Sequence, residues 1–199
     1  MNANVESFLR VLDPADNSTG GGTASAVAGA MAAALVGMVA RLSVGKKRAD
    51  AESFFSVASA EAERLSETLF GGGHQDAQAY DAVRAAWRLP KDTEEQEVER
   101  RQEMQHALLH AARIPLANAE GCRRVLELCA LLDGRSNPNA ASDLECARLL
   151  AHAGLLGCLA NVEINLSSIT DEDVKTELSK RADALGELAR AGGSLDPVA

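Results

Sequence analysis

From Gly20 to Ala40 the chain runs 21 residues without a charged side chain. The stretch opens "GGGTASAVAGA" and consists mostly of Ala, Gly, Ser and Thr. A helix that is apolar on all sides either crosses a membrane or stands at the centre of a bundle. The length would suffice for a span, but these small residues insert weakly compared with Leu or Ile. The remainder is strongly charged and we read no second such segment, so a central bundle helix is predicted. Within it Ser25, Gly29, Ala33 and Gly37 recur every four positions, a flat stripe for close packing against another helix, in the same chain or across a dimer.

Hydrophobic residues make up 46% of the chain but aromatics only 3%. The core must therefore be built from Ala, Leu and Val, with helices in close contact. A length of 199 residues suits one domain over 1–199. A net charge of -9 argues against nucleic acid or an anionic membrane surface as partner, and leaves room for a small anionic molecule in a local basic pocket. The four cysteines form no CxxC pair and read as small buried hydrophobes of a reducing cytoplasm. The opening "MNANVESFLR" carries an acid and lacks the apolar core of a signal peptide, so a cytoplasmic location is expected.

Apolar spacing is helical throughout, and the predicted class is an all-α bundle of about seven or eight helices. Residues 2–12 form the first, ended by Asp13-Pro14, and 23–44 the second, stopped at Gly45. Residues 48–70 and 75–89 read as separate helices with "GGGH" at 71–74 as a turn. Asp92 with Glu95 has capping-box spacing and opens a helix to about 113. Pro115 then breaks or kinks the chain before a segment reaching Leu132. Ser142 with Glu145 opens a helix to about 168, and Thr170 with Asp173 caps the last, which ends at Gly192-Gly193.

Glycines at a helix start let a ligand approach the unpaired N–H groups there. The segment "GGGTASAVAGAMAAALVGMVARLSVGKK" resembles the opening signature of the formiminotransferase-cyclodeaminase C-terminal family, which includes cyclodeaminase domains and free-standing methenyltetrahydrofolate cyclohydrolases. "DAQAYDAVRAAWRLPKDTEEQEVERRQEMQHALLHAARIPL" is similar to the family's middle segment, and "SNPNAASDLECARLLAHAGLLGCLANVEINL" to its closing one. Together these cover about residues 5–175. "NST" at 17–19 stands where the family usually has Pro-Thr-Pro, which predicts a more flexible approach to the glycines.

The resemblance implies a one-carbon tetrahydrofolate as substrate and no metal or redox cofactor. The expected activity is hydrolysis of 5,10-methenyltetrahydrofolate to 10-formyltetrahydrofolate, because no formiminotransferase domain is attached. The alternatives are cyclodeamination of 5-formiminotetrahydrofolate with release of ammonia, or a non-catalytic folate-binding protein. A homodimer is expected. Either reaction needs proton transfer and a carboxylate to balance a cation.

Asp76 is the first candidate, since at helical spacing it shares a face with Tyr80, Val83 and Trp87, and Tyr80 and Trp87 are the single Tyr and single Trp. The other reading of these residues is a core aromatic pair with Asp76 as a helix cap. Asp143 is the second candidate, in the first turn of its helix, where a carboxylate is favourable in any case. Gly20, Gly21 and Gly22 would present donors. Asn137 and Asn139 flank Pro138, while Asn161 and Asn165 share a helix face; all four are candidate contacts to a pterin, or simply to backbone groups. Lys46, with Lys47 and Lys91, is a candidate receiver for the glutamate tail. Glu103, His106 and His110 have metal-ligand spacing, but no second Glu-x-x-His accompanies them, so no metal is assigned.

Overall fold

The structure is a computed structural model and describes residues 2–45 and 49–192. Six α-helices carry the fold: α1 (Ala3–Val11), α2 (Gly21–Ser43), α3 (Ala49–Trp87), α4 (Glu94–Leu132), α5 (Ala141–Leu166) and α6 (Glu172–Gly192). A short 3₁₀ turn, Pro138–Ala140, leads into α5, and no strand occurs among the described residues. The all-α class is as expected from the sequence. The count falls below seven or eight because two expected breaks do not break.

The first is "GGGH". Helix α3 runs straight through Gly71, Gly72 and Gly73, although each glycine costs about 1 kcal/mol relative to Ala in a helix interior. Space explains them. A Cβ on Gly72 would sit on the buried carboxamide of Asn118 from α4, and one on Gly73 would reach 3.4 Å from the Thr23 carbonyl of α2. These glycines are the notch where three helices meet, not a turn. The second is Pro115, which α4 also passes through as one helix.

Helix starts differ from the sequence expectation by a residue or so. Gly20 alone precedes α2, so Gly21 and Gly22 form its first turn. Thr93, not Asp92, caps α4, accepting from Gln96 N–H at 3.3 Å while Gln96 Oε1 accepts from Asp92 N–H at 2.9 Å. No side chain caps α5; the 3₁₀ turn takes that place. At α6 the Asp171 carboxylate accepts from the Asp173 and Val174 N–H groups, and Thr170 bonds instead to Gln105.

Helix α2 packs on α3, α4 and α5. Its small-residue stripe is used within the chain: a Cβ on Gly29 would lie 2.5 Å from Cys122 Sγ of α4, and one on Gly154 of α5 would lie 2.8 Å from the Ser25 carbonyl. Only backbones without side chains between them approach so closely. One buried cluster, rich in Ala, Leu and Val as the composition requires, joins α2 to α6.

One expectation is overturned. A second helix is long and apolar enough to cross a membrane, Pro138–Leu166, with mean hydropathy 1.4 against 1.8 for Gly21–Ser43. The two pack side by side, antiparallel: Gly21 neighbours Asn161, and Leu42 neighbours Asn137. Burial within the chain takes up 61% of the α2 window but only 33% of the α5 window. Much of the apolar surface of α5 therefore faces outward.

Candidate active site

At the N-terminal end of α2 a cavity of about 340 Å³ opens between α2, α3 and α5. Its floor is the glycine turn, and Asp76, Tyr80, Asn161 and Asn165 stand around it. The volume suits a small organic ligand.

Asp76 is half-buried on α3, one turn beyond the glycine notch. Its Oδ2 accepts from the Thr23 hydroxyl at 2.9 Å. A Cβ on Gly22 would lie 2.5 Å from Oδ1, so only glycine lets the α2 terminus close on this carboxylate. Two effects oppose each other at Asp76. Burial disfavours the charged form, while the hydroxyl and backbone N–H of Thr23 favour it; burial wins and the carboxyl titrates above its ordinary range. A group held this way both takes and returns a proton more readily near neutral pH than a free aspartate.

Around it stand polar groups with capacity to spare. The Asn161 carboxamide has no hydrogen bond to the described residues, and the buried Thr19 hydroxyl lining the cavity has no partner. Asn165 spends its Nδ2 on the Ala111 and Asn161 carbonyls, both at 2.9 Å, which fixes the side chain and leaves Oδ1 free to accept. Tyr80 is 47% exposed, with Arg84 5.7 Å above its ring, and Trp87 is 68% exposed; neither belongs to the core.

The approach to the glycines, where "NST" stands, is tied down. Arg10 of α1 meets Asp16 at 2.7 Å, and Ser18 bonds to both through its hydroxyl. The same partners hold the Asp16 carboxyl well below its usual range. Charge-assisted bonds thus do here what proline does by restricting the chain.

The other candidates lie elsewhere. Asp143 and Asn161 are 18 residues apart on α5, about 27 Å by helical rise. Asn137 clamps the far end of α2: its Nδ2 donates to the Leu42 carbonyl at 3.2 Å, its N–H to Ser43 Oγ at 2.8 Å, and its Oδ1 accepts from Asn139 N–H at 3.0 Å. One chain therefore does not bring Asn137, Asn139 and Asp143 to the Asp76 cavity. Lys46 and Lys47 lie outside the described residues. Among the described residues no three His, Cys, Asp or Glu side chains are placed to hold a metal ion.

A larger cavity, about 570 Å³, opens between α4, α5 and α6. Its arginines are engaged, Arg148 with Glu145 at 2.6 Å and Arg123 with Glu127 at 2.5 Å. Burial pushes its Cys129 thiol up to about 12, too high to supply a thiolate.

Sequence reasoning missed Thr19 and Thr23. Thr23 was within reach, as the first hydroxyl after a glycine turn; the Thr19 orphan shows only in three dimensions.

Comparison with known proteins gives a consistent picture. The family model described as formiminotransferase-cyclodeaminase matches residues 4–184. A methenyltetrahydrofolate cyclohydrolase of Methylorubrum extorquens is 38% identical over 192 residues, covering 96% of this chain and 91% of that protein. A formimidoyltransferase-cyclodeaminase of Gallus gallus is 30% identical over 189 residues, but this chain spans only 35% of its length. The crystal structure of a formiminotetrahydrofolate cyclodeaminase from Thermotoga maritima superposes with a TM-score of 0.80 at 27% identity, covering 92% of this chain and 87% of that one. The chain therefore belongs to the formiminotransferase-cyclodeaminase family.

Proposed function

We propose that this protein is a methenyltetrahydrofolate cyclohydrolase, with Asp76 as the group that moves the proton. The observation that carries the reading is a half-buried carboxyl, raised by burial, facing a cavity with an unpaired carboxamide and an unpaired hydroxyl. Likeness over 91% of the length of a cyclohydrolase supports this reaction over the cyclodeaminase one.

The amidinium carbon of the substrate sits between two nitrogens and carries positive charge. Asp76 as carboxylate balances that charge and takes a proton from water as the oxygen adds to the carbon. The resulting carbinol has a C–O bond and neutral nitrogens. Asp76 then gives the proton to N5 as the C–N5 bond breaks, and the carbinol proton leaves to solvent as the formyl C=O forms on N10. The first-turn N–H groups of Gly21 and Gly22 offer donors to substrate oxygens. Asn161 and Asn165 suit the amide edge of a pterin, and Tyr80 borders its ring system. The step uses protein groups and water, so a chelator should leave turnover unchanged.

The active form is read as a homodimer. On α2 the residues Ala24, Ala28, Met31, Leu35, Met38 and Leu42 stand outward at alternating four- and three-residue steps, the spacing of a coiled-coil seam. On α5 Cys146, Leu149, Ala153, Leu156, Ala160 and Ile164 form a matching row, and Ile164, 69% exposed, also lines the Asp76 cavity. A second copy covers such a surface most economically. A two-fold axis that reverses the helices would set the partner's Asp143 end beside this chain's Asp76. The four free thiols support a reducing, cytoplasmic setting.

The test is loss of methenyltetrahydrofolate absorbance with purified protein, beside ammonia release from formiminotetrahydrofolate. Ammonia release without hydrolysis assigns the cyclodeaminase reaction. Neither activity, with folate still bound, leaves a binding protein.

A further inference from the structure

A proline inside a helix lacks the N–H that would bond to the carbonyl four residues back, and its ring crowds that carbonyl out of line. In α4 this happens at Pro115, which is fully buried. The carbonyl concerned is that of Ala111, a residue that lines the Asp76 cavity. Ala111 is only 6% exposed, and a carbonyl so placed calls for a protein donor. The donor comes from another helix: Asn165 Nδ2 of α5, at 2.9 Å. We infer that Pro115 is a positioning residue for the cavity, acting through Asn165. It turns the Ala111 carbonyl over to that side chain and thereby fixes which end of the carboxamide a ligand meets. The consequence for substrate rests on the tetrahydrofolate reading above.

The orientation follows from the partners. Asn165 Nδ2 stands between two carbonyls, Ala111 on α4 and Asn161 on its own helix, each at 2.9 Å. A carboxamide turned the other way would set its oxygen against both, acceptor facing acceptor. The nitrogen is thus committed, and Oδ1 is the end left for a ligand. The Asn161 carbonyl alone would hold the side chain weakly, because within α5 it also accepts the Asn165 backbone N–H. The Ala111 carbonyl has no such helical donor, so its bond ties α5 to α4 across the wall of the cavity. An acceptor held in place selects a ligand edge that donates. In a pterin that edge is N3–H with the 2-amino group, not the C4 carbonyl.

The test is a double-mutant cycle between Pro115→Ala and Asn165→Ala, read in two ways. Pro115→Ala returns the N–H and replaces the poorest helix former with the best, so the variant should fold, with circular dichroism as the check. Its KM for methenyltetrahydrofolate should rise about tenfold, the scale of one hydrogen bond. Its kcat should stay within about twofold, since Asn165 holds substrate and transition state alike. Asn165→Ala should raise KM at least as far, and adding Pro115→Ala to it should change KM no further. Melting supplies the second reading and needs no substrate. Asn165→Ala strips the Ala111 carbonyl of its donor and should lower Tm. The same substitution in the Pro115→Ala background, where a backbone N–H serves that carbonyl, should lower Tm much less. An unchanged KM in Pro115→Ala, KM effects that multiply, or an equal loss of Tm in both backgrounds overturns the assignment. Pro115→Gly repeats the test with the N–H and no side chain. Failure of both Pro115 variants to fold also overturns it, since Pro115 then serves the fold and not the site. If the unmodified protein turns over no folate, the functional reading fails, and the melting cycle still decides how Asn165 is held.

Discussion

The two ends of the α2–α5 pair are made of similar residues and behave in opposite ways. At the N-terminal end of α2, among the described residues, Asn161 leaves its carboxamide unpaired, Thr19 its hydroxyl, and Asp76 is pushed away from its charged form. At the other end Asn137 spends donor and acceptor alike on Leu42, Ser43 and Asn139. Satisfied polar groups hold a structure together. Unsatisfied ones cost stability until something binds. Asparagine in a family motif can serve either purpose, and only its partners distinguish them.

The largest effect that would sharpen this contrast is on turnover. Asp76→Asn preserves the acceptor for Thr23 but cannot shuttle a proton, and kcat should fall by about 10²–10⁴-fold. Asp143→Asn probes the other end. In the proposed dimer Asp143 would reach the cavity from the partner chain, and mixing Asp76→Asn with Asp143→Asn should then regenerate up to about a quarter of normal activity by random subunit exchange. Full activity in Asp143→Asn alone would confine the chemistry to the Asp76 end of one chain. Leu156→Glu places a charge in the outward α5 row and should halve the mass seen by light scattering; an unchanged mass would remove the seam.

A smaller effect separates adjacent glycines. In Gly72→Ala the new methyl falls on Asn118, which should cost about 1–3 kcal/mol in denaturant titration. In Gly71→Ala the nearest atom is 3.9 Å away, and the gain in helix propensity should stabilise by up to about 1 kcal/mol. Equal effects would return "GGG" to the role of a flexible hinge. The smallest concerns Asp76 and pH. A carboxyl raised in the folded state contributes its full stability below the unfolded pKa and loses it as pH rises through the folded one. Asp76→Asn should therefore melt slightly higher than the unmodified protein at neutral pH, and no higher at pH values below the carboxylate range.

Most of the fold was legible in the sequence because helical periodicity and a near-absence of aromatics leave few other solutions. What failed was punctuation. Glycine and proline read as breaks when judged locally, yet Gly72 exists for Asn118, a residue 46 positions away. The outward row of α5 is not legible as an uncharged run, because its apolar residues are interspersed with charges such as Arg148 and Glu163. Of the candidate site, the cluster of Gly20–Gly22, Asp76, Tyr80, Asn161 and Asn165 was readable from spacing and resemblance. That Asn137, Asn139 and Asp143 lie at the opposite end was not, since chain order does not record that α2 and α5 are antiparallel.

The most direct test is the pH dependence of kcat/KM for methenyltetrahydrofolate hydrolysis, followed by absorbance, in the unmodified protein and in Asp76→Asn. The account predicts a rising limb governed by one group titrating above the ordinary aspartate range, and the loss of that limb, with the residual rate, in the variant. The same limb persisting in Asp76→Asn at near-normal rate would contradict the account and show that the proton moves through a group other than Asp76.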